Sequence, residues 1–179
     1  KRQTLGVVSR LERIKGMDLV IPAFAELKKR YTVIRLLVVG DGSQRTIMQE
    51  QAIELGVNDS VEWMGRQEQS HLQSLYDRID ILLMPSRSEG FGLTAIEGMA
   101  RGCVVVASNI GGLPEVVKDG KVGLLHQTED VEDMVAQIQS LLENRVRTIQ
   151  LSRNALLYVS QFSFEKYATA FCNLYERIN

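Results

Sequence analysis

The chain has 179 residues, 45% of them hydrophobic and 24% charged, a mixture suited to one well-buried globular domain. Lysine and arginine number 21 against 22 aspartate and glutamate, so no overall field draws the protein to nucleic acid or to an acidic membrane surface. No run reaches the roughly 18 apolar residues needed to span a bilayer, and no charged-then-apolar leader opens the chain.

Strand-like runs recur in chain order at Leu5 to Val8, Val33 to Val39, Val61 to Met64, Ile81 to Met84, Val104 to Ala107 and Val122 to Leu125. Between them the spacing predicts helices over Met17 to Lys29, Gln44 to Leu55, Ser70 to Tyr76 and Leu93 to Arg101, with a short turn over Leu113 to Lys118. Pro22 is the least comfortable placement, because it falls inside the first of these. Leu36 to Val39 and Val104 to Val106 are continuously apolar, as parallel strands covered on both faces require. The expected architecture is therefore an α/β, Rossmann-like, doubly wound parallel sheet of about six strands. After Leu125 only helical patterns follow, at Val131 to Leu142, Thr148 to Tyr158 and Phe164 to Arg177, and these are expected to close one side of the sheet.

The two cysteines, Cys103 and Cys172, lie far apart in apolar surroundings and read as buried free thiols in a reducing compartment, which points to the cytoplasm. The chain opens on Lys and enters a strand almost at once, so it reads as a domain that follows something larger. His71 and His126 read as surface or packing residues, and no paired His/Cys ligands suggest a structural metal.

Ligands of an open parallel sheet bind outside the carboxyl ends of its strands, so the loops that follow strands carry the functional information. Five such loops contain glycine: Ser9 to Gly16, Gly40 to Ser43, Gly65-Arg66, Pro85 to Gly92, and Ser108 to Gly112. In the fourth, Glu89-Gly90-Phe91-Gly92-Leu93-Thr94-Ala95-Ile96-Glu97 follows an apolar strand and sets two carboxylates eight residues apart around a glycine-rich turn into a helix. A helix start near Gly92 or Leu93 offers unpaired N–H groups and the positive end of a dipole, which suit phosphate. A carboxylate beside a phosphate is repelled, so each acid should face a neutral part of the ligand such as sugar hydroxyls. The pattern suggests a phosphorylated carbohydrate. A dinucleotide-dependent oxidoreductase fits poorly: the third glycine of G-x-G-x-x-G, begun by Gly40-Asp41-Gly42, would fall at Arg45.

Gly6-Val7-Val8-Ser9-Arg10-Leu11 with Lys15-Gly16, Leu37 to Gly42, Val61 to Gly65, Pro85-Ser86 through Glu97, Gly98 to Gly102 and Gly111-Gly112-Leu113-Pro114-Glu115 together resemble the donor half of a GT-B glycosyltransferase. The resemblance is to the retaining, nucleotide-sugar-dependent enzymes of glycosyltransferase family 4. It covers nearly the whole chain, including Phe162-Ser163-Phe164 to Tyr175, which is similar to that family's terminal helix. Ser9 stands where the family commonly has glycine and Ser43 where proline is frequent.

The resemblance implies a single nucleotide-sugar-binding domain over residues 1–179, with the acceptor-binding N-terminal domain outside the chain. The implied activity is transfer of a hexosyl unit from a nucleoside diphosphate sugar to a hydroxyl acceptor, a saccharide or lipid-linked molecule held through the other half, as in polysaccharide biosynthesis. Arg10 and Lys15 would bind the donor diphosphate in place of a metal, so neither metal nor other cofactor is expected. Glu89 would lie near the transferred sugar as a third catalytic residue, and the backbone of Gly90, Phe91, Gly92 and Leu93 would face sugar and phosphate. Glu97 would accept hydrogen bonds from the ribose hydroxyls, and backbone around Met64, Gly65 and Arg66 would contact the base. A cytoplasmic protein is implied, with peripheral association at the inner membrane face through the other half. The isolated segment would bind donor but not complete transfer. A nucleotide-sugar epimerase of the same architecture and a binding module without transfer activity are the competing readings.

Overall fold

A computed structural model describes residues 3–162. Six parallel strands, β1 (Thr4–Val8), β2 (Arg35–Val39), β3 (Val61–Gly65), β4 (Ile81–Met84), β5 (Val104–Ser108) and β6 (Gly123–His126), form one sheet in the order β3-β2-β1-β4-β5-β6. This is the expected doubly wound arrangement. The order reverses between β1 and β4, paired at Leu5 with Ile81 and Gly6 with Leu82, so the loops after those two strands share one crevice.

Among the described residues seven α-helices alternate with or follow the strands: α1 (Met17–Arg30), α2 (Arg45–Glu54), α3 (Gln69–Tyr76), α4 (Leu93–Ala100), α5 (Leu113–Val117), α6 (Val131–Glu143) and α7 (Arg145–Val159). Each strand side chain points to the opposite face from its neighbour. On one face Leu5, Val7, Leu36, Val38, Ile81 and Leu83 pack with Phe24 and Leu27 of α1, Met48 of α2 and Ile138 of α6. On the other, Val8, Leu37, Val39, Leu82 and Met84 pack with Tyr76 of α3, Ala95 and Met99 of α4 and Val116 of α5. The burial of both faces explains the continuous apolar runs.

The last helices do not close one side of the sheet. α6 joins α1 on the first face, whereas α7 crosses the sheet end and packs on α4, with Leu151 in the first core and Ala155 in the second. Two successive amphipathic helices carry no sequence signal for which face each takes. The second strand begins at Arg35 instead of Val33, which is exposed. α7 begins three residues before Thr148 because the Asn144 side chain accepts a hydrogen bond from the Arg147 N–H at 3.0 Å and caps the helix. Pro22 does sit inside α1, where it removes the bond its N–H would have made to the carbonyl of Asp18. The helix expected over Phe164 to Arg177 and the thiol of Cys172 lie outside the described residues. Cys103 is a free, fully buried thiol, and burial pushes its pKa up to about 12.

Candidate functional site

Two adjoining cavities open over the carboxyl ends of β1, β2 and β4. The smaller, about 340 Å³, is lined by Arg10, Lys15, Ser86, Glu89 and the Gly90 to Thr94 turn. The larger, about 600 Å³, is lined by Gly40 to Gly42, Arg66, Gln67, Tyr76 and Glu97. Val8, Ser9, Arg10 and Thr94 line both, so the cavities meet above the end of β1 and the first turn of α4.

The loop after β1 is held at both ends. Leu11, fully buried, donates its N–H to the carbonyl of Asp41 and accepts from Gln44 N–H, leaving exposed Arg10 projecting between the cavities. Among the described residues Arg10 makes no ion pair. A 3₁₀ turn at Arg13–Lys15 then ends on Gly16, whose φ of 68° is left-handed. A Cβ there would come within 1.8 Å of the Pro85 carbonyl oxygen, so glycine is what lets this loop touch the loop after β4.

Arg87 fastens the two loops together. Its guanidinium donates to both Asp18 carboxylate oxygens at 2.6 and 2.9 Å, to Glu129 at 2.6 Å and to the Arg13 carbonyl at 2.5 Å, while its backbone N–H donates to Ile14. Burial opposes ionisation of Asp18, but the hydrogen bonds and charge of Arg87 outweigh it and hold the carboxyl below its usual range. Clamped in this way, Lys15 places its ammonium 2.8 Å from Glu89 Oε2, with both side chains about four-fifths buried. The Ser86 hydroxyl lies 3.4 Å from the same oxygen.

The Glu89 turn rests on the loop after β5. A Cβ on Gly111 or Gly112 would lie 2.0 Å from the Glu89 carbonyl oxygen or 2.2 Å from that of Gly90, and the Gly112 N–H donates to Glu89 O at 3.2 Å. The turn ends at Gly92, whose φ of 84° starts α4 with no side-chain cap. The amides of Leu93 and Thr94 thus open α4 at its positive end, where Leu93 lines the smaller cavity and Thr94 lines both.

Glu97, one turn into α4, belongs to the larger cavity and not to that of Glu89. The Tyr76 hydroxyl donates to its Oε2 at 2.8 Å, and Gln69 Nε2 reaches its Oε1 at 3.4 Å. Burial first, then the bond to Glu97 and its charge, push the Tyr76 phenol far up, so it stays protonated. Gly65 adopts a φ of 65°, and its carbonyl accepts from Gly40 N–H at 2.8 Å. Arg66 and Gln67 follow it into the cavity wall. Ser43 has a local reason to differ from proline: both its N–H and its hydroxyl donate to Glu12, at 3.1 and 2.6 Å, tying two site loops together. Arg45, at the position that breaks the dinucleotide motif, pairs with Asp41 at 2.8 Å.

Nine of the ten sequence-derived site residues line this crevice and Gly65 lies beside it, bonded to Gly40 of its wall, but Lys15 faces Glu89. Arg87, Asp18, Tyr76 and Thr94 escaped sequence reasoning. Asp18 and Arg87 are 69 residues apart, and Tyr76 looks like the last apolar residue of an ordinary helix. Among the described residues no group of three or more His, Cys, Asp or Glu could hold a metal ion, and no helix is long and apolar enough to cross a membrane.

The family model for glycosyl transferases group 1 matches residues 1–157. The chain belongs to this family. Among relatives, it is 36% identical over 179 residues to a D-inositol 3-phosphate glycosyltransferase of Corynebacterium aurimucosum, covering 97% of this chain and 42% of that protein. Among solved structures, it superposes with a TM-score of 0.88 on a sucrose-phosphate synthase from Thermosynechococcus elongatus, at 28% identity over 99% of this chain and 46% of the other. Anabaena Alr3699/HepE, solved in complex with UDP, gives a TM-score of 0.82 at 26% identity over 89% of this chain and 44% of the other. The chain thus spans less than half the length of each of these proteins. Its six-stranded sheet is that of GT-B glycosyltransferase C-terminal domains.

Proposed function

We propose that this chain is the donor-binding half of a retaining glycosyltransferase of family 4, which moves a hexosyl unit from a nucleoside diphosphate sugar to a hydroxyl acceptor. The observation that carries the reading is the pair of cavities meeting at Arg10 and the first turn of α4, with Glu89 in the smaller and Glu97 in the larger, where Asp41 is paired with Arg45. An elongated ligand with a charged middle and two hydroxyl-rich ends matches that layout. Its nucleoside lies in the larger cavity with the ribose against Glu97 and the base along Arg66 and Gln67. Its diphosphate lies at the junction, against Arg10 and the amides of Leu93 and Thr94. Its sugar enters the smaller cavity beside Glu89 and the Gly90 to Gly92 backbone.

During transfer the glycosidic bond to the diphosphate breaks and negative charge grows on the departing phosphate. Arg10, the ammonium of Lys15 and the α4 amides are already in place to stabilise that charge, with no reorganisation at the moment of reaction. Lys15 can contact the phosphate while still touching Glu89, so the carboxylate orients the lysine as well as the sugar. Glu89 is then an orienting acid. In the front-face course the leaving phosphate helps take the acceptor's proton. The two acids are unlike a glycosidase pair, because they occupy separate cavities on either side of a phosphate site.

The acceptor contacts belong to an N-terminal domain outside residues 1–179, so the chain alone binds donor without completing transfer. The cleft closes when the two halves meet. The relatives' greater length and the UDP bound by HepE support this reading. Calorimetric titration of the chain with UDP, GDP, ADP and their hexose conjugates tests it. Saturable binding of at least one is expected; no binding of any at millimolar concentration overturns it.

A further inference from the structure

We propose that Tyr76 is a positioning residue that holds Glu97 in the orientation needed to read a ribose, and so makes the larger cavity prefer a ribonucleotide over its deoxy analogue. The inference rests on the assignment of Glu97 to the ribose.

Tyr76 closes α3, is 2% exposed, and has its ring in the core of the α4 face. The Cys103 thiol, itself buried, lies 3.4 Å from its carbonyl oxygen. The phenol oxygen is therefore a fixed point, set by core packing and not by solvent. Glu97 is different: its carboxylate sits at the end of a flexible side chain at a cavity wall, where a free glutamate would spread over several rotamers. One hydrogen bond from a rigid donor restricts that spread.

The direction of the bond is unambiguous. An ionised carboxylate only accepts, so the phenol donates to Glu97 Oε2. Gln69 is a poorer anchor, exposed and 3.4 Å away. Of the acceptor sites on Glu97, the phenol occupies one on Oε2. With Gln69 reaching Oε1, a further lone pair on each oxygen remains for the neighbouring hydroxyls of a ribose.

A purely structural tyrosine would have the same burial, so the test must read the ribose and not only the fold. Affinities of UDP, GDP and their 2′-deoxy counterparts are measured for the 179-residue chain, for Tyr76→Phe, for Glu97→Gln and for Glu97→Asp, with the thermal midpoint of each. The unaltered chain is expected to favour the ribonucleotide by about tenfold or more, and Tyr76→Phe to weaken the ribonucleotide by about fivefold while leaving the deoxynucleotide within about twofold. Glu97→Asp, too short to stay on the phenol and reach the cavity together, is expected to lose the preference with the core intact. Equal weakening of both nucleotides by Tyr76→Phe, or an undiminished preference in Tyr76→Phe or Glu97→Asp when Glu97→Gln has lost it, overturns the inference. A preference that survives in Glu97→Gln overturns the placement of the ribose itself.

Discussion

Lys15 Nζ and Glu89 Oε2 stand 2.8 Å apart although 74 residues separate them along the chain. Sequence reasoning assigns them to different parts of a donor, one to the diphosphate and one to the sugar. Their pairing means that the cation is held in place before any ligand arrives, and that the carboxylate is not an isolated anion next to a phosphate site. The repulsion expected between an acid and a phosphate is thereby relieved locally.

Glu89→Gln should expose this exchange. The uncharged amide leaves the ammonium without its counter-charge, so affinity for a nucleoside diphosphate is expected to rise by about threefold to fivefold. The additional affinity contributed by the sugar is expected to disappear. Calorimetry with matched diphosphate and diphosphate-sugar reads both effects at once.

Arg87→Leu tests the clamp beneath Lys15. It strands the Asp18 carboxylate in a setting where its side chain is only 24% exposed, at a cost of about 2–3 kcal/mol in chemical denaturation. Asp18 has a folded-state pKa below its unfolded value, so its contribution is present above the unfolded value and is lost as pH falls through the folded one. The gap between the unaltered protein and Arg87→Leu should therefore narrow as pH falls into the acid range, beginning where the stranded carboxyl of the variant takes up its proton. Nucleotide affinity should fall as well, because the loop carrying Lys15 is released.

His126 is 1% exposed, its Nδ1 donates to the Gln127 carbonyl at 2.8 Å, and its Nε2 has no partner among the described residues. Burial holds its pKa down, while that carbonyl and the charges of Asp133 and Asp130 pull the other way. A depressed folded-state pKa means that the unfolded chain takes up the proton first. Stability from this group is complete above the unfolded value, near pH 6.5, and declines as pH falls, by at most about 1.4 kcal/mol per pH unit until the folded pKa is reached. Denaturation midpoints between pH 7.5 and 5 should show this slope, and His126→Gln should flatten it.

Gly111→Ala and Gly56→Ala form an informative pair. Both positions have positive φ, 56° and 66°, so both substitutions strain the backbone by about 1 kcal/mol. At Gly56 a Cβ meets nothing within 4 Å, whereas at Gly111 it strikes the Glu89 carbonyl at 2.0 Å. Only Gly111→Ala should lose further stability, about 2 kcal/mol or more, and only it should impair nucleotide binding, because the Glu89 turn must move to make room.

Much of this molecule is legible in its sequence because two strong signals coincide. Buried parallel strands are continuously apolar, as in Leu36 to Val39, and the loops that follow them hold the glycines that close backbone approach demands at Gly16 and Gly111. The division of α6 and α7 between the two faces is not legible, since amphipathic helices state that they pack but not against what. Nor are the pairings of Lys15 with Glu89 or Arg87 with Asp18, which arise only once the order reversal between β1 and β4 brings two distant loops together. Tyr76 is hidden for another reason: its ring obeys the helix periodicity of a core residue, and nothing in that pattern reveals where its hydroxyl points.

The most direct test is a crystal structure of the chain with the diphosphate sugar that it binds most tightly. The account predicts the diphosphate at the first turn of α4 within hydrogen-bonding reach of Arg10 and the Leu93 and Thr94 amides. The ribose hydroxyls should lie on Glu97 and the sugar beside Lys15 and Glu89. A nucleotide bound in the reverse direction, with its base in the smaller cavity, or a diphosphate seated away from α4, would contradict it.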